Sequence, residues 1–258
     1  MKLHVESVGA GPPLVLLHGF ALHGGVFAPV VPALARRHRV HVVDLPGHGH
    51  SAALPLASLE AVADIVAHAV AEVAPRAAVL GWSFGGQVAL AWAERRPQSV
   101  SRLVLACTTP SFVTRDDFAC AMAPQALARF GDELRVAYRL TLQRFLTLQV
   151  QGSEAGRRAL AALRARLFER GEPDPAALAR TLEILMATDL RGRVPAIATP
   201  ALVLAGPRDT LAPAAAGEWL AAALPAATYL ALPGAAHAPF LSHPDAFVAA
   251  VQAFADAR

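Results

Sequence analysis

Short, mainly apolar runs recur along the chain and alternate with segments of helical spacing. The apolar runs fall at residues 14–17, 40–43, 78–80, 103–106, 201–205 and 227–232. Helical spacing of apolar residues is found at 87–95 and again at 244–257. Strands that are apolar on both faces are typical of a parallel sheet covered by helices on each side. The pattern predicts an α/β fold with a mostly parallel sheet flanked by helices, opened by a hairpin of residues 3–8 and 14–17.

The alternation stops between residues 110 and 194. This stretch holds helical patterns at 134–148 and 154–169 and no convincing strand. Gly152 and the turn-prone residues 171–175 interrupt these patterns. We therefore expect one core made of residues 1–109 and 195–258, with residues 110–194 as a helical insertion between two strands. We refer to residues 110–194 as the lid insertion.

Composition narrows the class of protein. The 258 residues carry a net charge of +3, which predicts no binding to nucleic acid. No uninterrupted apolar stretch reaches the ~18 residues that a membrane span needs, and the first residues do not resemble a signal peptide. Cys107 and Cys120 lack metal-ligand spacing, so we expect two reduced thiols in a cytoplasmic protein and no bound metal.

A candidate nucleophile lies where an apolar strand meets a helix. Residues 81–85 read Gly-Trp-Ser-Phe-Gly, and Gly86 extends the motif. A serine between glycines in this context is typical of a sharp turn that pushes the Ser83 hydroxyl out of the sheet edge. The turn also aims the first N–H groups of the helix at a reacting carbonyl. The alternative is a glycine-rich turn with an ordinary serine, but the partners described next favour a nucleophile.

A serine hydroxyl needs a histidine that accepts its proton. In folds of this kind the chain order is serine, then acid, then histidine. His237 lies in a loop directly after the last predicted strand, whereas His243 lies at the start of the final helix and fits a cap position. We predict His237 as the base and keep His243 as the second choice.

The histidine in turn needs a carboxylate that orients it. Asp209 lies in the loop after the strand at residues 201–205, although it could also be a simple turn residue. Asp189 precedes that strand and ranks second. The predicted catalytic triad is therefore Ser83, Asp209 and His237.

Two backbone N–H groups are expected to form an oxyanion hole. One belongs to Phe84, the residue after the nucleophile, and the other to Phe20, in the loop after an early strand. Gly19 lets that loop pass close to the nucleophile. We interpret His18 as a structural residue that holds the loop. Residues 44–51 are a turn-rich loop near the site, and their glycine spacing does not match a phosphate loop.

Together these residues resemble the α/β-hydrolase superfamily over the whole chain. A closer resemblance is to the pimeloyl-acyl-carrier-protein methyl ester esterases of biotin synthesis, and it rests on residues 81–83, 144–149, 182–185, 188–191 and 236–244. The part around Phe145 is the most specific, because hydrolases of this fold vary most in their lids.

The resemblance implies a serine carboxylesterase that removes the methyl group from a pimeloyl methyl ester held on acyl carrier protein. It also implies an acyl site formed by Phe20, Phe84, Phe145, Leu146, Thr147, Leu148, Gln149 and His237. The family member known best has Trp at the position of Phe20 and Leu at that of Phe84. Both differences keep the backbone donors and change the shape of the pocket.

Positive charge is concentrated in the lid insertion. Residues 134–170 hold eight arginines and two glutamates, a net charge of +6 in a chain of net +3. Such a surface would steer and orient an acidic acyl carrier protein. We predict that the carrier contacts Arg139, Arg144, Arg157 and Arg158. The alternative is a solvated helix face whose arginines do nothing specific.

The triad alone leaves other functions open. A general short-acyl carboxylesterase or a carbon–carbon bond hydrolase would use the same residues, and a non-catalytic sensor would keep the pocket. Dehalogenases and epoxide hydrolases of this fold use an aspartate nucleophile, against which Ser83 argues. We expect no metal or cofactor, because the triad accounts for the histidine and the carboxylate. We also expect a monomer whose partner is the carrier-bound ester, with no membrane association.

Overall fold

The computed structural model describes residues 2–151, 153 and 155–257. Within them, the strands in chain order are β1 (Val5–Val8), β2 (Pro13–Leu17), β3 (Arg39–Val43), β4 (Ala77–Trp82), β5 (Val100–Ala106), β6 (Ala201–Ala205) and β7 (Ala227–Ala231). They form one sheet in the order β1-β3-β2-β4-β5-β6-β7. All pairs are parallel except β1 with β3. This is the mostly parallel sheet that the apolar runs predict.

The predicted opening hairpin is wrong. β1 pairs antiparallel with β3, with Val5 opposite Val43, so β3 lies between β1 and β2. The reason is burial: residues 14–17 of β2 are completely buried and need a strand on each side. Gly9 and Gly11, with φ of 83° and 113°, carry the chain past the beginning of β3. A side chain at Gly9 would come within 2.5 Å of the His38 carbonyl oxygen.

The helices are α1 (Val31–Leu34), α2 (Leu59–Ala71), α3 (Phe84–Arg95), α4 (Pro124–Val150), α5 (Gly156–Arg166), α6 (Pro175–Ala187), α7 (Ala214–Ala223), α8 (Pro239–Ser242) and α9 (Pro244–Ala255). α2 shows how sequence sets one of them. The Ser58 side chain caps it by accepting from the Ala61 N–H, and Val62, Val66 and Val70 form its buried stripe. No helix in the described part of the chain is both long and apolar enough to span a membrane.

The helices α4, α5 and α6 occupy the region between β5 and β6. The predicted helix at 134–148 lies within α4, and the one at 154–169 corresponds to α5. Gly152 and Glu154, on which these predictions also drew, lie outside the described residues. α4 is broken at Ala137, whose φ of −146° and ψ of 55° are not helical. The break divides α4 into two arms.

The lid insertion is tied to the core by polar contacts. Arg170 forms an ion pair with the fully buried Asp44 at 3.0 Å and another with Glu6 at 2.8 Å. His23 hydrogen-bonds through Nε2 to the carbonyl oxygen of Arg166 at 2.7 Å. These bonds fix the end of α5 and the residues just after it against β1 and the loops that follow β2 and β3.

Candidate active site

Ser83 occupies a strained turn between β4 and α3. Its φ of 56° and ψ of −120° lie in a region that residues with side chains rarely adopt. Close packing forces the turn. A Cβ on Gly85 would lie 2.3 Å from the Leu17 carbonyl oxygen, and one on Gly86 would lie 2.5 Å from Cβ of Thr108. Thr108 also donates from its hydroxyl to the Ser83 carbonyl at 2.7 Å. The turn therefore places the Ser83 hydroxyl at the carboxyl edge of the sheet.

Ser83, His237 and Asp209 form a continuous hydrogen-bonded chain. Nε2 of His237 lies 2.9 Å from Oγ of Ser83, and Nδ1 lies 2.7 Å from Oδ2 of Asp209. Oδ1 of Asp209 accepts from the backbone N–H groups of Leu211 and Ala212 at 2.8 and 2.9 Å. The carboxylate can only accept, so it selects the tautomer with the proton on Nδ1. Nε2 is then free to take the proton of the serine hydroxyl.

The second-choice residues lie elsewhere. Asp189 forms an ion pair with Arg191 at 2.8 Å in the loop after α6. His243 is the N-cap residue of α9, and its Nδ1 bonds to the hydroxyl of Ser242 at 2.8 Å. Neither is bonded to Ser83 or His237.

The loop that carries His237 is held from two sides by contacts that the sequence analysis did not foresee. The indole N–H of Trp82 donates to the His237 carbonyl at 2.7 Å. The His237 N–H donates to the Gln149 carbonyl at 3.0 Å. Gln149 lies in the last turn of α4, where carbonyl groups have no partner within the helix. Trp82 lies inside the nucleophile motif, so the sequence could have indicated that it contacts the site. The bond to Gln149 uses only backbone atoms, so no side chain in the sequence indicates it.

The two expected oxyanion donors are placed without competing partners. Phe84 begins α3, so its N–H has no carbonyl one turn earlier in the helix. The N–H of Phe20 has no acceptor among the described residues. His18 fixes the Phe20 loop through two bonds: it donates from Nδ1 to the Gly19 carbonyl at 2.8 Å and accepts at Nε2 from the Leu45 N–H at 2.9 Å. Burial, helped by neighbouring His48, lowers the pKa of His18 to about 3, so it is neutral.

An apolar cavity of about 170 Å³ opens onto Ser83 and His237. The other residues that line it are Phe20, Phe112, Met122, Ala126, Leu127, Phe130, Phe145, Leu148, Leu182, Leu185 and Leu211. Ser83 and His237 are the only polar side chains in this lining. Since transfer of an unpaired charge to such surroundings is costly, the cavity suits an uncharged chain.

The predicted acyl-site residues divide into two groups. Phe20, Phe145, Leu148 and His237 line the cavity, together with the nucleophile. The others are near it but do not line it: Phe84, Leu146 and Gln149 are buried in the packing around it, and Thr147 is exposed with its hydroxyl bonded to the Gln143 carbonyl.

An aromatic cluster joins the core to both arms of α4. The ring centroids of Phe20, Phe130 and Phe145 lie 5.3–5.9 Å apart. In a straight helix, residues 130 and 145 would be separated by about 22 Å along the axis. The break at Ala137 therefore folds the two arms of α4 together over the site. This fold decides which lid residues reach the cavity.

Comparison with known proteins identifies the family. The model of the alpha/beta hydrolase fold matches residues 12–244. The pimeloyl-acyl-carrier-protein methyl ester esterase of Nitrosomonas europaea is 43% identical and covers 98% of this chain and 99% of its own. The one of Xanthomonas axonopodis pv. citri is 47% identical and covers 98% of both chains. An esterase from Exiguobacterium antarcticum, only 20% identical, shares the fold with a TM-score of 0.88 over 99% of this chain and 96% of its own.

The chain belongs to the pimeloyl-acyl-carrier-protein methyl ester esterase family. The α/β-hydrolase fold and the closer resemblance predicted from sequence are both confirmed. So is the prediction of a carboxylic ester hydrolase.

The predicted carrier-contact arginines of this esterase family member differ in their surroundings. Arg139 is occupied, because it pairs with Glu172 and stacks on the Phe168 ring at 5.1 Å. Arg144 is exposed and lies 3.9 Å from the carboxylate of Glu133. Arg157 and Arg158 are exposed at the start of α5. No carboxylate of a described residue lies within salt-bridge distance of either one.

Proposed function

We propose that this protein is a serine carboxylesterase that hydrolyses the methyl ester of pimeloyl-acyl-carrier protein in biotin synthesis. The observation that carries the proposal is the uncharged lining of a cavity that ends at Ser83 and His237. A methyl ester at the end of a methylene chain is neutral and suits this cavity. The product carboxylate is charged and finds no cation there, so hydrolysis itself favours release.

The proposed reaction begins with proton transfer from the Ser83 hydroxyl to Nε2 of His237 as Oγ attacks the ester carbonyl carbon. The N–H groups of Phe20 and Phe84 stabilise the oxyanion. The intermediate collapses, and methanol leaves with the proton from His237. Water then gives a proton to His237 and attacks the acyl-enzyme, which forms a second tetrahedral intermediate. When this intermediate collapses, His237 returns the proton to Oγ of Ser83 and the acid is released. Asp209 orients His237 and stabilises its charged form throughout.

The carrier is proposed to dock on the exposed face of the lid insertion. Leu140, Arg144 and Leu148 are spaced four residues apart on the second arm of α4, so they share one face. The two leucines are 49% and 41% exposed. With Arg157 and Arg158 of the adjoining α5, this face combines apolar and basic groups, which fits an acidic partner with an apolar centre.

We also propose that the protein acts as a cytoplasmic monomer. Cys107 and Cys120 are both free, which suits a reducing compartment. The triad, both oxyanion donors and the cavity lining come from a single chain, so the site needs no second copy.

The test compares hydrolysis of pimeloyl-acyl-carrier-protein methyl ester with that of a short nitrophenyl ester, using wild type and Ser83→Ala. We expect a strong preference in kcat/KM for the carrier-bound ester. Ser83→Ala should lower kcat on both esters by several orders of magnitude, up to on the order of 10⁶-fold. Turnover of the short ester alone would leave a general carboxylesterase, and activity that survives Ser83→Ala would refute the mechanism.

A further inference from the structure

Cys107, whose thiol is a potential metal ligand, lies beside Asp209 and His237 of the triad. Cys107 follows β5 with a left-handed φ of 46°, and its N–H donates to the Leu204 carbonyl at 2.8 Å. This conformation is unusual for a residue with a side chain. The thiol is buried and lies 3.6 Å from the Ala236 carbonyl. The reaction proposed above does not use it.

The thiol, the carboxylate and the imidazole converge. One ligand atom each from Cys107, Asp209 and His237 lies within 4.8 Å of the other two, and all three residues are buried. Burial, together with the charge of Asp209, raises the pKa of the Cys107 thiol well above its usual value, so the thiol is protonated in the free protein. Sulfur, nitrogen and oxygen donors together favour Zn²⁺ or Cd²⁺ over Mg²⁺ or Ca²⁺.

We propose that Cys107, Asp209 and His237 form an inhibitory site for a thiophilic divalent cation. The cation binds the sulfur of Cys107, Oδ2 of Asp209 and Nδ1 of His237. A thiolate and a carboxylate together balance the two charges of the ion, so the buried group is neutral, which removes the main cost of burying it.

Inhibition follows from the tautomer of His237. In the free protein Nδ1 carries the proton and Nε2 accepts from Ser83. A cation on Nδ1 moves that proton to Nε2, and the Cys107 thiol releases its proton to solvent. Nε2–H then donates to Oγ of Ser83 and can no longer act as the base. The triad is therefore switched off without any contact between the ion and the substrate cavity.

The inference rests on the esterase chemistry proposed above but not on the natural ester, so hydrolysis of a short nitrophenyl ester is the assay. The protein is incubated with Cd²⁺, Zn²⁺ or Mg²⁺ before assay, because the ligands are buried. Each variant is normalised to its own metal-free rate. Wild type should be inhibited by Cd²⁺ and Zn²⁺, should be unaffected by Mg²⁺, and should recover when a chelator is added.

Cys120 provides the matched control, because it is the other thiol of the chain and is not part of the cluster. Cys107→Ser should raise the inhibitory concentration of Cd²⁺ at least tenfold, since loss of even an outer partner of a metal ligand costs about 10- to 100-fold in affinity. Cys120→Ser should stay within about twofold of wild type. Equal inhibition of Cys107→Ser and wild type would overturn the proposal.

A second measurement does not depend on activity or on the folding of Cys107→Ser. In Cys120→Ser the single thiol left is Cys107, so ultraviolet absorption by a cadmium–thiolate bond reports on that residue alone. We expect the absorption to saturate at one equivalent of Cd²⁺. Absence of the band at saturating Cd²⁺ would overturn the site even if the natural substrate proved to be a different ester.

Discussion

Trp82 supports the base at the level of a single hydrogen bond. Its indole N–H donates to the His237 carbonyl at 2.7 Å in a buried setting. Trp82→Phe leaves that carbonyl without a donor, at a cost of about 1–3 kcal/mol, and loosens the loop that positions the imidazole. We expect kcat on a short ester to fall about tenfold while KM changes little, because the group that positions the base is lost rather than a substrate contact.

Trp92 offers the matched control for this prediction. It is equally buried, and its indole N–H donates to the Ser99 hydroxyl at 2.8 Å, away from the site. Trp92→Phe should lower the melting temperature to a similar degree and leave kcat unchanged. A parallel loss of kcat in both variants would show that Trp82 acts through stability alone.

At the scale of residues, the sequence predicted best where chemistry is local. The positions around Ser83 must be glycine, because a Cβ there would lie only 2.3–2.5 Å from neighbouring atoms. The glycines of the motif therefore indicate the tight turn directly. Cys107 was read only as a reduced thiol, because nothing in its neighbours along the chain reveals Asp209 and His237 beside it. The family resemblance implies Gln149 as a residue of the acyl site, whereas in the structure its carbonyl group accepts from the His237 N–H.

At the scale of elements, α4 and α5 present the surface on which the carrier hypothesis can be tested. The change is Arg144→Glu, Arg157→Glu and Arg158→Glu together. Because rim charges act mainly on encounter, we expect KM for the carrier-bound ester to rise on the order of tenfold, with kcat/KM for a short ester unchanged. Steady-state kinetics on both esters provides the measurement.

The control reverses the same number of charges on the core, at the exposed residues Arg36, Arg39 and Arg76. It should leave KM for both esters near the wild-type value. If this variant raises KM for the carrier-bound ester as much as the lid variant does, net charge rather than a docking face explains the effect.

The break in α4 marks the limit of sequence reasoning about elements. Helical spacing predicts a helix over 134–148, and this segment contains no glycine or proline that would indicate the break at Ala137. Without the break, Phe130 and Phe145 could not meet, so the part of the cavity lining that the first arm of α4 supplies was not predictable. The β1–β3 pairing was missed for a similar reason, because it depends on contacts remote in sequence.

For the whole molecule, buried histidines couple stability to pH. Burial lowers the pKa of His18, His23 and His48, in His18 to about 3. In the unfolded chain each titrates near 6.5. Below that pH the unfolded chain binds more protons than the native protein, so the free energy of unfolding falls as pH decreases from about 6.5 towards 3. Each histidine contributes a slope of up to about 1.4 kcal/mol per pH unit.

Urea unfolding at about pH 7.5 and pH 5.5 measures this slope. His48→Gln, which can keep a bond to the Pro46 carbonyl, should make the dependence shallower. His68→Gln, on the exposed side of α2, is the control and should leave it unchanged. An identical dependence in wild type and His48→Gln would contradict this explanation.

The bond between the Gln149 carbonyl and the His237 N–H has a consequence for the timing of the reaction. It joins the last turn of α4 to the loop of the base, so any movement that lifts this part of α4 to admit a long chain must break it. The loop then keeps its bond to Trp82 but loses its link to the lid. A lifted α4 would therefore leave the backbone at the base with one support instead of two. The return of α4 would restore the cover over the chain and the second support of the imidazole in a single event.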